Sequence, residues 1–175
     1  MTSFRQLIPG SHRWAVGMIG GACLVAGIVG TDSSALGQDP SALAPADVIS
    51  ARKTLMNAIA RNMYPLDEMS YTGKFNLLRG RNNADSISAM LQAFPLLFPP
   101  STNTWVPNAP RDPAADTFTD PKLWSEYTFF YKEALAAAKY AYNASRAENE
   151  TEFRKSITEL RLTCDTCHAT FQKNN

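Results

Sequence analysis

The chain has 175 residues, 45% of them hydrophobic and 19% charged, which is enough for one soluble domain with a proper core. Its 17 basic and 16 acidic residues leave a formal net charge of +1, so it lacks the basic surplus that neutralising nucleic-acid phosphates requires. Nucleic acid is not an expected partner.

The N-terminus differs in kind from the rest. Arg5 and Arg13 precede a run from Trp14 to Gly30 that has no acidic residue, and the small-residue segment Ser34-Ala35-Leu36-Gly37 follows. This order is that of a secretory signal peptide. It predicts that residues 1–37 are the signal, cleaved within a few residues of Gly37, and that the mature domain spans 38–175. A membrane-spanning helix needs about 20 apolar residues; this run is shorter and is diluted by Gly17, Gly20, Gly21, Gly27 and Gly30. No membrane span is expected after cleavage. Lipidation at Cys23 would call for a bulky aliphatic residue before it, where the sequence has Gly20-Gly21-Ala22. Cleavage removes Arg5, Arg13 and Asp32, leaving a neutral domain with 15 basic and 15 acidic residues. It also removes Cys23 and His12, so the mature chain keeps two cysteines and one histidine, all between positions 164 and 168.

The spacing of apolar residues predicts four helices. Pro45 suits a first turn, and Val48, Leu55, Met56, Ile59 and Met63 share one face up to Pro65, giving a helix over 45–69. After a polar link, Ile87, Met90, Leu91, Phe94 and Leu97 form a second, shorter stripe that ends at Pro99-Pro100. The proline-rich stretch 98–120 reads as a long ordered connection that Trp105 and Phe118 could pin to the helices. Asp120-Pro121 then supplies an N-cap and a first-turn proline for a third helix over 121–147, whose apolar stripe is Trp124, Tyr127, Tyr131, Leu135, Ala138 and Tyr142. The last helix has the cleanest period, with Phe153, Ile157, Leu160, Cys164, Cys167 and Phe171 in alternating steps of four and three. No strand alternation occurs, so the expected class is all-α, an antiparallel four-helix bundle.

Cys164-Asp165-Thr166-Cys167-His168 is the attachment pattern of c-type haem. On a helix, residues three and four apart share a face, so both thiols can reach one edge of a porphyrin while the imidazole takes an axial position on its iron. Three other readings compete. A disulfide between Cys164 and Cys167 would staple two residues of an already regular helix and leave His168 unused. Zinc needs three or four protein ligands, and no other mature Cys or His remains to complete the set. A thioredoxin-like pair wants a strand-turn-helix setting, whereas this pair ends a helical repeat. One covalently attached haem c is therefore expected on the last helix, near the C-terminus, with His168 as iron ligand. With no second mature histidine, the sixth position falls to a methionine or stays open; Met56, Met63, Met69 and Met90 are the candidates, each also readable as core filler.

Four features across nearly the whole mature chain resemble the class II c-type cytochromes, the cytochrome c-prime family with its low-spin, methionine-ligated relatives. They are Arg52-Lys53-Thr54-Leu55-Met56, Leu97-Phe98-Pro99, Pro121-Lys122-Leu123-Trp124, and Cys164 to His168 followed by Phe171. The resemblance implies a four-helix bundle in which the residue four after the helix-one basic position faces the distal side of the haem. Met56 holds that place, with Arg52 as the basic residue beside the cofactor, and the surrounding stretch is most similar to the low-spin branch. The high-spin branch carries an arginine four residues after its haem histidine, where this chain has Gln172, next to Lys173.

Filled by His168 and Met56, the iron could exchange electrons with little ligand reorganisation. The resulting expectation is a periplasmic or otherwise extracytoplasmic electron-transfer protein, not an enzyme, whose partners are redox proteins docking through small interfaces. The alternative is a five-coordinate haem that captures nitric oxide or carbon monoxide. The resemblance also allows a homodimer through the first two helices.

Overall fold

The computed structural model describes residues 43–110, 112 and 116–173. The expected signal peptide, residues 1–37, and Cys23 within it lie outside them.

Helix α1 runs Pro45–Thr72, with Pro45 in the first turn, where a missing N–H removes no intrahelical bond, and with Gly73 at φ 68° closing it in the left-handed conformation. It continues through Pro65 rather than faltering there. Pro65 cannot donate to the ladder, but Met63, Leu66 and Met69 are buried on one face around it, and that burial offsets the lost bond. Helix α2 spans Leu77–Ala93 and is capped by Asn76, whose Oδ1 accepts the N–H of Arg79 at 2.9 Å. It begins well before Ile87, inside the stretch that reads as a polar link. Gly80 explains why that turn faces the interior: a Cβ there would lie 2.6 Å from Cζ of Phe153. Two 3-10 turns, Phe94–Leu97 and Pro100–Thr102, lead out of α2.

The predicted third helix is two. A single turn, α3, covers Lys122–Ser125, and α4 runs Tyr127–Arg146, separated at Glu126 by φ −110°, ψ 26°. Asp120 caps the start as its position predicts, Oδ1 accepting the N–H of Lys122 at 2.9 Å. Helix α5 is Glu150–Phe171, capped by Asn149 Oδ1 on the N–H of Glu152 at 3.0 Å.

The four long helices pack in the order α1 on α2, α2 on α4 and α4 on α5. The short links 73–76 and 147–149 make the helices they join antiparallel, so the architecture is the expected all-α four-helix bundle. The buried face of α4 shares Ala138 with the predicted one but is otherwise turned from it: Phe130, Ala134, Ala137, Ala141 and Ala144 also face inward, while Tyr131, Leu135 and Tyr142 are exposed. Small side chains let α2 approach closely enough for buried Ser88 to donate to the carbonyl of Ala138 at 3.0 Å. Bulky rings at those positions would hold the helices apart.

The core has two parts. One, around Ile59, Leu66, Ile87, Ala141, Phe153 and Leu160, fills the middle of the bundle. The other joins Phe94, Phe98, Leu123, Phe130 and Phe171 at the end where α5 finishes. Leu55 and Met56 touch both, whereas Cys164 packs on the first and Cys167 on the second. Among the described residues, no helix is long and apolar enough to cross a membrane.

Candidate functional site

The fourth side of the bundle, between α1 and α5, is closed at one end only. There Arg154 donates to the carbonyl of Met69 at 3.4 Å and Arg161 forms an ion pair with Asp67. Farther along, the two helices are separated by a cleft made of two adjoining cavities. One, of ≈ 310 Å³, is lined by Met56, Ile59, Met63, Leu91, Ala137, Cys164 and others; the second, of ≈ 210 Å³, by Arg52, Phe98, Thr117, Leu123, Phe171 and others. Met56, Phe94, Phe130, Cys167 and His168 border both. The cavities are thus two halves of one space, with Met56 on the α1 wall and the Cys-x-x-Cys-His segment on the α5 wall.

All five residues expected to hold a cofactor are brought to this cleft. Cys164 and Cys167 are free, half-buried thiols one helical turn apart, and His168 is exposed in the last turn of α5. The chain just beyond His168 is tied down. Gln172 donates its N–H to the carbonyl of His168 at 3.0 Å and forms a bridge pair with Thr119, while the N–H of Asp120 reaches the carbonyl of Phe171 at 2.8 Å. Lys173 Nζ pairs with Asp120 at 2.8 Å and lies over the ring of Trp105. That ion pair holds the Asp120 carboxyl below its usual range, helped by the N–H of Lys122. The long connection therefore anchors the end of the helix that carries the imidazole.

Arg52 is 4% exposed. Its guanidinium donates to Thr117 Oγ1 at 2.9 Å, Thr102 Oγ1 at 3.3 Å and the carbonyl of Leu97 at 3.5 Å, and it stacks 4.3 Å from the centre of the Phe98 ring. Every one of those acceptors is neutral, and burial lowers the pKa to about 10, still cationic at neutral pH. A buried cation whose acceptors among the described residues are all neutral oxygens, beside a cavity, suits an anionic group on whatever fills that cavity. Haem, with propionate groups on one edge and vinyl groups on others, fits this arrangement: Cys164 lines one half of the cleft, Cys167 borders both, the buried cation lines the other half, and the walls between are largely apolar.

The electrostatics of the thiols also bear on the competing readings. Burial raises the pKa of Cys164, and it pushes Cys167 up to about 11, with Cys164 and Glu133 adding to the shift. A redox-active dithiol depends on a depressed thiol pKa, so this environment is the opposite of a thioredoxin-like site. The raised values also give a stability prediction. The neutral thiols favour the fold, so haem-free protein should be at full stability below about pH 9 and lose stability as pH climbs through about 11. Once the sulfurs are thioethers they no longer titrate, and the alkaline loss should shrink in the haem-bearing form. Urea unfolding midpoints of both forms between pH 8 and 11 check this; equal slopes would contradict it.

The sequence model of the Cytochrome C' family matches residues 47–172, which includes both walls of the cleft. The chain belongs to the cytochrome c' family. Its cofactor is accordingly one covalently attached haem c, and it is a monohaem class II c-type cytochrome. The fold agrees with solved cytochromes c'. That of Thermochromatium tepidum superposes with a TM-score of 0.66 at 19% identity, covering 75% of this chain and 98% of the other. A cytochrome c' described by its ligand-controlled dimer dissociation gives 0.65 at 17%, covering 75% and 98%. The nitric oxide complex of a variant cytochrome c' from Alcaligenes xylosoxidans gives 0.61 at 15%, covering 74% and 97%. No curated protein matches the sequence.

Several residues of the cleft carry no signal in the sequence. Asp67 and Arg161 are 94 positions apart, Thr117 lies 65 positions from Arg52, and Glu133 reads as one of several acidic residues on an amphipathic helix. Only the folded chain brings them to one space.

Proposed function

We propose that this cytochrome c' is an extracytoplasmic haem protein that binds a diatomic gas, nitric oxide or carbon monoxide, on the side of the haem that faces Met56. Residues 1–37 act as its export signal and are removed. Cys164 and Cys167 carry the haem through thioethers, His168 is the proximal ligand, and Arg52 holds a propionate. The haem iron supplies the site at which the gas is captured. Met56 limits the space on the distal side, with Ile59 and Met63 providing an apolar wall that suits a small uncharged ligand and gives no polar hold to larger anions.

Family membership and the nitric oxide complex of the Alcaligenes xylosoxidans relative support this reading. The observation that carries it is the apolar wall that Met56, Ile59, Met63 and Leu91 turn toward Cys164, Cys167 and His168 across the cleft that takes the haem. The role is binding without turnover. Dimer dissociation under ligand control in another relative supports a homodimer as the working assembly.

A second reading rests on one specific feature. Met56 borders both halves of the cleft, as His168 does, and a thioether there could take the sixth position and make an electron-transfer protein that docks with redox partners. The two readings are separated by adding carbon monoxide to the ferrous holoprotein. The gas-binding reading expects high-spin spectra in both oxidation states and a full spectral change at micromolar carbon monoxide. Low-spin spectra that carbon monoxide leaves untouched would favour electron transfer.

A further inference from the structure

The half of the cleft that holds Arg52 is edged by a chain of hydrogen bonds that runs from α1 to the end of α5. Its first link is Nη2 of Arg52, which donates to Thr117 Oγ1 at 2.9 Å. The Thr117 hydroxyl donates in turn to Thr119 Oγ1 at 2.8 Å and accepts the N–H of Thr119 at 3.1 Å. Thr119 lies opposite Gln172 in an antiparallel bridge, flanked by bonds from the N–H of Asp120 to the carbonyl of Phe171 at 2.8 Å and from the N–H of Lys173 to the carbonyl of Phe118 at 2.7 Å. Gln172 closes the chain by donating its N–H to the carbonyl of His168 at 3.0 Å. Arg52, Thr117, Thr119, Gln172 and His168 all border one cavity.

We propose that Thr117 is a positioning residue that registers two of the haem's anchors against each other, the Arg52 cation at its carboxylate edge and the His168 imidazole on its iron. The inference deepens the haem reading and rests on it for the roles of Arg52 and His168. Thr117 is 5% exposed, and its hydroxyl is saturated, with one bond given and two accepted. Its single proton goes to Thr119, so it presents only a lone pair to the guanidinium, and that fixes where Nη2 points. Burial strengthens each of these bonds by keeping water from competing for them. Thr102 gives the contrast. It too accepts from Arg52, through Nη1 at 3.3 Å, but its proton goes to the carbonyl of Pro99 at 2.8 Å, on the far side from α5 in the bonding pattern. Among the described residues, Thr117 is the acceptor of Arg52 whose own bonds lead on to the helix that carries His168.

The test is proton NMR of the ferric haem-bearing protein, in which the iron shifts the signals of the His168 ring and of the haem propionate methylenes clear of the rest. Thr117→Val, which keeps the shape of the side chain and removes the hydroxyl, should displace both sets, and Thr117→Ser should return both. Thr102→Val should displace the propionate signals alone, because the hydroxyl it removes has no bond toward α5. Thr119→Val cuts the chain one link later, at a half-buried position, and should displace the His168 ring alone; it also serves if Thr117→Val does not fold. Amide hydrogen exchange reads the chain without the haem signals. In Thr117→Val the N–H groups of Thr119 and Gln172 should exchange about two- to ten-fold faster, the range that loss of one hydrogen bond allows. His168 signals that stay in place in Thr117→Val or Thr119→Val, a Thr117→Ser variant that restores nothing, or exchange that quickens at Thr119 and not at Gln172 would overturn the proposal, as would propionate signals that move in Arg52→Met and not in Thr117→Val. Propionate signals that ignore Arg52→Met mark the separate failure of the propionate reading, and the His168 signals with the exchange at Gln172 then decide whether Thr117 positions the end of α5.

Discussion

Met56→Ala should raise the rate of carbon monoxide association with the ferrous protein by about ten-fold or more. The Met56 side chain stands on the α1 wall between the two halves of the cleft and packs against both parts of the core. Truncating it joins the halves and clears the distal approach. A ten-fold change in rate corresponds to ~1.4 kcal/mol of barrier, which is a modest demand for removing three heavy atoms from a constricted path. Stability should fall by about 2 kcal/mol, the low end for losing a methionine from a core, because Met56 is only half-buried. If Met56 were instead the sixth ligand, the same variant would convert a low-spin spectrum into a high-spin one. Flash photolysis together with the absorption spectrum reads both outcomes from one sample, and an unchanged rate with an unchanged spectrum would remove Met56 from the distal side.

The double variant Cys164→Ser, Cys167→Ser should lose covalent attachment entirely. Both sulfurs lie on one face of α5, and both belong to the cleft rather than to the surface of the bundle. Without them, retention of haem depends on His168, on Arg52 and on apolar contact, so acidified organic solvent should strip the pigment completely. Single replacements should leave one thioether and a pigment that resists extraction. Extraction followed by absorbance measures this, and full extraction from unmodified protein would contradict the assignment of both cysteines.

How much of this was legible before folding depends on where the signal lay. Helix α5 was readable because its apolar stripe and its haem motif coincide, and each constrains the other: Phe153, Ile157, Leu160 and Phe171 are buried, and the two cysteines fall on the same stripe. Arg52 and Met56, placed beside the cofactor by resemblance, both border the cleft. On helix α4 the apolar pattern points to a face that shares only Ala138 with the buried one. Large aromatic residues dominate a hydrophobic pattern, yet the core here needs close helix approach, and Ala134, Ala137, Ala138, Ala141 and Ala144 supply it while Tyr131 and Tyr142 stay outside. The start of α2 has no apolar signature, because Arg79-Gly80-Arg81-Asn82-Asn83 has almost no apolar content; its inward turn depends on Gly80 making room for Phe153, a partner 73 positions away in the chain. The same reason hides the cradle of Arg52. Thr102 and Thr117 come from the proline-rich connection, and no local pattern announces that their hydroxyls will meet a buried guanidinium.

Mass analysis of a tryptic digest of the exported protein tests the central claim most directly. Cleavage after Arg161 and Lys173 releases Leu162–Lys173, which contains both cysteines and His168 and no internal basic cleavage site. A single haem bonded to that peptide, with none elsewhere in the chain, is the predicted result. Recovery of the same peptide at its bare mass, its two thiols open to alkylation, would contradict the account.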